Sequence, residues 1–494
     1  MGEGNRLKKR QYTLFLFMKK GVLPTFFSNF AAYLNILTNS HIFLIYMANL
    51  VKLRKGLDIN LKGKPARELL EVKQSASYAL CPDDFTGVTP KVVVKEEQMV
   101  KAGEALFIDK NHPEVKFVSP VSGKVTLVER GARRKVLSIR VEATGNEVVD
   151  FGKKSVASLN GAQVKEALLE AGLFAFFKQR PYDVVPNPEV APRAIFVSAF
   201  DSQPLAPEFE YVLNGQEADF QTGLDALAKV APTYLGVSAK QQSVALTQAK
   251  NVTVTVFDGP HPAGNVGVQI NHTAPVNKGE VVWTLGAEEV IFIGRLFNNG
   301  CVDFTRTIAV AGSEVNAPAY ARVKVGAQIE SVLKGRLAEG KNLRIIDGNV
   351  LTGCKSSMEG FVGAHSTALT VIPEGDDVHE MLGWIMPRFD QYSTSRSYFS
   401  WLLGKKEYTI DARVKGGERH MIMSGEYDRV FPMDIMPEYL VKAIIAGDID
   451  RMEALGIYEV APEDFALCEF VDSSKLELQR IVREGLDALR KEME

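Results

Sequence analysis

From residue 47 onward the chain alternates short β-branched runs with Gly, Pro and charged breaks, and later passes into helical spacing. Residues 47–150 carry apolar runs at Val92, Val93 and Val94, at 100–108 and at 115–125, with a tight turn at 109–113 between the last two. Runs of that length bounded by turn residues predict a β domain. Residues 151–302 change period. An amphipathic helix is predicted within 158–177, where Val164, Ala167, Leu168, Ala171 and Phe174 share one face. The unbroken apolar stretch 194–200, ending at Asp201, predicts a strand buried on both faces. A helix over 220–230 and strands over 251–257 and 289–294 complete an α/β alternation. Residues 303–372 predict a small unit with strands at 308–311, 321–325 and 343–347 around a short helix at 328–333. The remainder, 373–494, is a mixed segment followed by helices. Pro437 suits a first helical turn. Ser473 or Ser474 is expected to cap the last helix, whose apolar stripe uses Leu476, Leu478, Ile481, Val482, Leu486 and Leu489.

A chain of 494 residues exceeds what one hydrophobic core serves, so several domains are expected. Lys and Arg total 58 against 60 Asp and Glu, and this balance argues against a nucleic-acid partner. The cysteines Cys81, Cys301, Cys354 and Cys468 form no CxxC pair. A structural zinc or iron–sulfur centre draws on such pairs, so they read as buried free thiols and no metal site is expected. Residues 1–46 differ from the rest. A basic start (Arg6, Lys8, Lys9, Arg10, then Lys19 and Lys20) precedes a stretch, 21–50, without a charged residue. Pro24, Asn29, Asn35 and His41 interrupt it, and such residues are costly in hydrocarbon. This segment reads as a non-native extension upstream of Met47, with a membrane anchor as the alternative.

Two β halves joined by the 109–113 hairpin resemble the biotinyl/lipoyl hairpin domain. Gly103 and Gly123 fall where strands turn sharply and positive φ is tolerated. Carrier domains bear their cofactor on a hairpin lysine, and Lys110 lies near that position. Its neighbours Asn111, His112 and Pro113 differ from attachment contexts, so no modification is expected. In the α/β part, a nucleotide would sit over a glycine-rich turn at the carboxyl ends of the strands. The turn after Phe257 reads Asp258-Gly259-Pro260-His261-Pro262-Ala263-Gly264-Asn265-Val266-Gly267. A phosphate cradle needs several inward N–H groups, and Pro260 and Pro262 have none. No helix pattern follows directly, so a structural loop is expected there.

The strings 257–264 (Phe-Asp-Gly-Pro-His-Pro-Ala-Gly), 290–297 (Val-Ile-Phe-Ile-Gly-Arg-Leu-Phe) and 348–353 (Gly-Asn-Val-Leu-Thr-Gly) resemble the A-type subunits of the sodium-pumping NADH:quinone oxidoreductases. So do Lys55-Gly56-Leu57-Asp58 and, near the end, Phe465-Ala466-Leu467-Cys468-Glu469-Phe470-Val471. The similarity runs in one order from Met47 to the C-terminus. It implies a multidomain α/β and β chain: a biotinyl/lipoyl-like hairpin barrel, a Rossmann-like α/β domain (151–302), a β-grasp module (303–372) and C-terminal helices. It also implies a peripheral subunit on the cytoplasmic face of the bacterial inner membrane that binds no cofactor itself. FMN, riboflavin, FAD and iron–sulfur centres would belong to the other subunits. Those subunits, chiefly a membrane-embedded flavin subunit, are the partners implied, together with ubiquinone or menaquinone. The complex would oxidise NADH, reduce quinone and export sodium, with no catalytic residue in this chain. Relatives often carry a second cysteine where this chain has Asp472, which weakens any metal or disulfide role for Cys468.

Quinone-side candidates under this reading are Leu80, Phe85, Tyr182 and His261. The aromatic and basic set Tyr392, Arg396, Tyr398, Phe399 and Trp401, with Phe389 and Lys405 beside it, is the candidate partner face, because aromatics and Arg favour interface centres. Two other readings use the same patterns: a flavin- and NADH-binding subunit of a complex-I-like or Rnf-like oxidoreductase, and a biotinyl or lipoyl carrier.

Overall fold

A side chain at Gly123 would put its Cβ 1.9 Å from the Glu142 carbonyl oxygen, so only glycine lets the strands Gly123–Arg130 and Val136–Ala143 lie flush. The computed structural model describes residues 49–376, 385–404 and 406–493; residues 1–46, expected as an extension or an anchor, and Lys405 lie outside them. Gly123 and Gly103 turn out to have different jobs. Gly103 takes φ +91, as expected of a sharp turn, whereas Gly123 is required by close approach and not by positive φ.

These strands belong to a four-stranded sheet in the order Ser77–Leu80, Val136–Ala143, Gly123–Arg130, Met99–Val100. A three-stranded sheet of Pro90–Val92, Ala105–Asp109 and Lys116–Val118 faces the same aromatic core. Phe107 and Phe117 stack there at 4.3 Å, with Phe85 edge-on to Phe117 at 4.6 Å. The Asp109 carboxylate accepts from the Thr89 and Asn111 amides and so fixes the hairpin turn. Lys110 stands exposed on that turn.

Beyond the barrel, five strands of one sheet run in the order Thr253–Asp258, Thr233–Ser238, Ile195–Ser198, Val282–Gly286, Lys178–Arg180. The first four are parallel and the last antiparallel. The helix Gly161–Glu170 begins with a reciprocal cap between Asn160 and Gln163. Residues 289–294, expected as a strand, lie inside the helix Ala287–Asn299, and the strand precedes them. That helix buries nearly its whole circumference, so its apolar run carries no helical period to read. It crosses the helix Glu217–Val230 so closely that a Cβ on Gly294 would lie 1.7 Å from the Asp219 carbonyl, and one on Gly223 2.1 Å from that of Val290. A second correction concerns the 258–267 turn. A helix, Val266–Thr273, does follow it directly. Its buried Gln269 and Gly267 hid the apolar periodicity.

A second six-stranded sheet runs Cys354–Ser356, Leu343–Asp347, Ala368–Pro373, Thr305–Ala311, Ala319–Lys324, Ala66–Leu70. Its last strand comes from early in the chain. Arg306, fully buried, ties this sheet to the preceding helix through Glu289 at 2.6 Å and Glu288 at 3.6 Å. At the C-terminal end, helices Pro437–Ala446 and Leu478–Met493 close over a core that includes Leu440, Phe465, Leu478, Val482 and Leu486. Neither Ser473 nor Ser474 caps the last helix, and Leu476 precedes it. Asp472 instead takes the Ser474 and Leu476 amides, and Glu469, further back along the chain, takes the Gln479 amide at 2.9 Å. Only Cys468 is a buried thiol; Cys81 and Cys301 are half-buried and Cys354 is exposed.

Candidate functional site

The carboxyl ends of the parallel strands open into a cleft of about 690 Å³. Loops leaving strands at this end are the usual ligand position in open α/β sheets, because side chains and amides there are not used up by pairing. One wall is the loop after Ile195–Ser198, another the turn after Thr233–Ser238, and a third the segment 58–67, held by a parallel bridge between Leu61 and Tyr408.

Asp201 begins the first of these loops. Its Oδ1 accepts the Gln203 amide at 2.8 Å, and no ion pair among the described residues involves it. Burial pushes its carboxyl up to about 6. Gln241, on the second wall, accepts the Ser243 amide through Oε1 at 2.7 Å, while its buried Nε2 has no partner among the described residues. Lys64 and Arg67 at the mouth are occupied by Glu208, each at 2.6 Å.

Beside the cleft, Ser202, His261 and Asp58 look like a nucleophile, base and acid, but their bonds show otherwise. Gly264 N–H donates to Ser202 Oγ at 2.8 Å, so the hydroxyl is free to donate to His261 Nδ1, 3.0 Å away. Asp58 accepts from the His261 backbone N–H, not from its ring. The acid therefore cannot orient or charge the imidazole. Burial holds the His261 ring down to about 4, so it is neutral near pH 7. The arrangement is a brace for the loop. A Cβ on Gly56 would lie 2.3 Å from the His261 carbonyl, so glycine there admits the loop.

The four quinone-side candidates do not line one pocket. Leu80 and Phe85 are buried in the barrel core around a void of about 10 Å³, room for at most a water. Tyr182, at φ 82, is half-buried against the C-terminal core, and its carbonyl accepts from Arg483 at 2.7 Å. The turns bearing Phe85 and Tyr182 adjoin, since Val185 N–H donates to Thr86 O at 3.0 Å. His261 is fully buried in the loop described above rather than solvated.

The partner-face set is divided. Phe399 and Trp401 are half exposed, with Arg396 over the Trp401 ring at 5.5 Å. Phe389, Ile385, Met386, Leu402 and Leu403 extend that apolar surface. Tyr392 instead packs inward on Tyr408 and Phe470, and Tyr398 is half-buried beneath Arg388. No group of three metal-ligating side chains occurs among the described residues, and no described helix is long and apolar enough to cross a membrane. Sequence reasoning reached Asp201 only as the end of a strand and missed Gln241, whose role depends on a turn that no periodicity marks.

These observations define a mixed α/β protein with a barrel-sandwich N-terminal domain, several sheets, C-terminal helices and a cleft at the carboxyl ends of its parallel strands. Residues 51–144 match the family described as NqrA N-terminal barrel-sandwich hybrid domain, 159–302 the NqrA second alpha/beta domain and 307–357 the NQRA C-terminal domain. The NqrA subunit of the Na(+)-translocating NADH-quinone reductase of Yersinia pestis (bv. Antiqua, strain Angola) is 37% identical over 448 residues, 90% of this chain and 100% of its own. Its counterpart in Vibrio atlanticus (strain LGP32) is 36% identical over 447 residues, again 90% of this chain and 100% of its own. The chain belongs to the NqrA family, the A-type subunits of Na(+)-translocating NADH-quinone reductase. A solved NAD+-reducing [NiFe]-hydrogenase in the H2-reduced state aligns with 68% of this chain and 64% of its own at 14% identity and a TM-score of 0.34, too slight a likeness to argue from.

Proposed function

We propose that this chain is the peripheral subunit of a membrane complex that oxidises NADH, reduces quinone and couples the two to sodium export. The observation that carries the reading is relationship along the whole length of NqrA relatives, not over one shared domain. The chain is read as cofactor-free. A flavin phosphate needs converging backbone amides, and Pro204, Pro207, Pro260 and Pro262 remove them from the loops at the strand ends. Electron carriers would then reside in the partner subunits. Within the chain we assign 47–150 to a lipoyl-like barrel, 151–302 to a Rossmann-like domain supported by its four parallel strands, and 303–372 to a β-grasp module.

The exposed surface around Phe399 and Trp401 is the proposed contact with a membrane-embedded flavin subunit on the cytoplasmic face. Contiguous half-exposed aromatics are costly unless covered. The adjoining turns of Phe85 and Tyr182 are the proposed quinone-side edge, with Leu80 behind them and His261 bracing its own loop. Deleting the gene for this chain from a host that makes the complex, then supplying it in trans, tests the reading. Quinone reduction and sodium uptake by membrane vesicles should vanish and return, while NADH oxidation by an artificial acceptor persists. Unchanged quinone reduction without this chain would refute it.

A further inference from the structure

We propose that the cleft at the carboxyl ends of the parallel strands binds a neutral planar ring carrying an oxygen or ring-nitrogen acceptor and an O–H or N–H donor, met by Gln241 and Asp201. One polar atom there is buried without a partner, Gln241 Nε2, and half-buried Asp201 stands near it with a single amide on its carboxylate. Gln241 Oε1 is committed to the Ser243 amide, so the side-chain amide cannot flip, and its Nε2 is presented as an unmatched donor. Asp201 offers an acceptor that no lysine or arginine among the described residues neutralises. A buried polar group without a partner costs more than a hydrogen bond returns, so a ligand acceptor on Gln241 Nε2 removes that penalty, while a ligand donor gains a bond to Asp201. The cleft is also lined by the half-buried Phe200 and Leu205, apolar surfaces for a ring face.

The same walls argue against a phosphate-anchored ligand. Four basic and five acidic side chains line the cleft, so it has no positive field, and two of the cations are already held by Glu208. The helices starting there, Phe209–Leu213 and Val244–Thr247, are one turn long and gather no row of free amides. Neutral rings with this pairing of groups come from two sources, a reduced quinone headgroup or a nicotinamide or purine ring. The inference rests on the cleft of this chain and not on the assembly proposed above.

The test uses the full chain and four probes followed by saturation-transfer NMR and titration: methylhydroquinone, nicotinamide, adenosine and ADP-ribose. One of the neutral rings should bind saturably and be displaced by unlabelled copies of itself, and which one does so identifies the source. Gln241→Leu and Asp201→Asn should each weaken it by about tenfold, the loss expected for one well-made hydrogen bond. Asp201→Asn should meanwhile keep the fold, read by circular dichroism. Absence of saturable binding by all three rings would overturn the proposal. So would affinity unchanged in both variants, or ADP-ribose binding tenfold tighter than adenosine, which would make the phosphates the anchor.

Discussion

Arg180 and Asp464 meet with both side chains shut away from water, Nη1 lying 3.1 Å from Oδ2. Arg180 ends the edge strand of the parallel sheet, and Asp464 sits in the short helix Pro462–Phe465, so the pair bolts the C-terminal helices to the sheet. Asp464 also takes the Ala461 amide at 2.9 Å, and Glu463 approaches Arg180 at 3.2 Å. Removing one member leaves a buried charge without its partner. Arg180→Met alone should cost about 3–5 kcal/mol in urea unfolding. The double replacement with Asp464→Leu should recover much of that, because neither charge then remains to be desolvated.

Gly267 touches this pair from the other side, where an added Cβ would lie 2.4 Å from Asp464 Oδ2. The carboxylate cannot retreat without leaving Arg180. Gly267→Ala is therefore expected to destabilise by about 1–3 kcal/mol, the usual cost of overpacking, despite the better helix propensity of alanine. Thermal unfolding of the two proteins would reveal a gain instead if the contact were slack.

Burial lowers His261 from 6.5 to about 4. Below pH 6.5 the unfolded chain takes up a proton that the folded ring refuses, so stability is complete above that pH and falls as pH drops toward 4. His261→Gln should flatten the stability profile in that window. NMR of the ring carbons should find it neutral at pH 5.5; a ring already charged there would contradict its burial.

Asp201 has the opposite sign. Its carboxyl is raised from 3.8 to about 6, so it favours the folded state only while protonated. That contribution is complete below 3.8 and lost as pH rises through about 6. At pH 7.5 Asp201→Asn should therefore raise stability, by about 1–3 kcal/mol, with the difference closing near pH 4. A residue that costs the fold stability is one expected of a binding site.

Phe399 and Trp401 bury little area within the chain, being 50% and 48% exposed. Replacing both with serine should leave the isolated chain's unfolding midpoint nearly unchanged. Recovery of the membrane subunits in affinity purification should fall several-fold. Equal recovery would remove this surface from the contact.

Some features were open to reading along the chain because neighbours in sequence decide them. The barrel hairpin rests on Asp109 and its own turn, and the buried strand ending at Asp201 is one apolar run. Helix and strand were confused at 289–294, where burial on all sides erases the period that distinguishes them. The start of the last helix was misjudged because Glu469, not the adjacent serines, takes its free amide.

Sequence by itself determined the family, the order of β and α/β parts, the lack of clustered thiolates and the proline-broken turn after Phe257. Those depend on residue identity and short spacing, which need no coordinates. Tertiary structure decided what lies beside what: Arg180 against Asp464, Ala66–Leu70 joined to a distant sheet, and Asp201 and Gln241 lining one cleft. The physical reason is burial. Whether a carboxylate is paired, stranded or solvated depends on desolvation by residues far along the chain, and no local pattern carries that information.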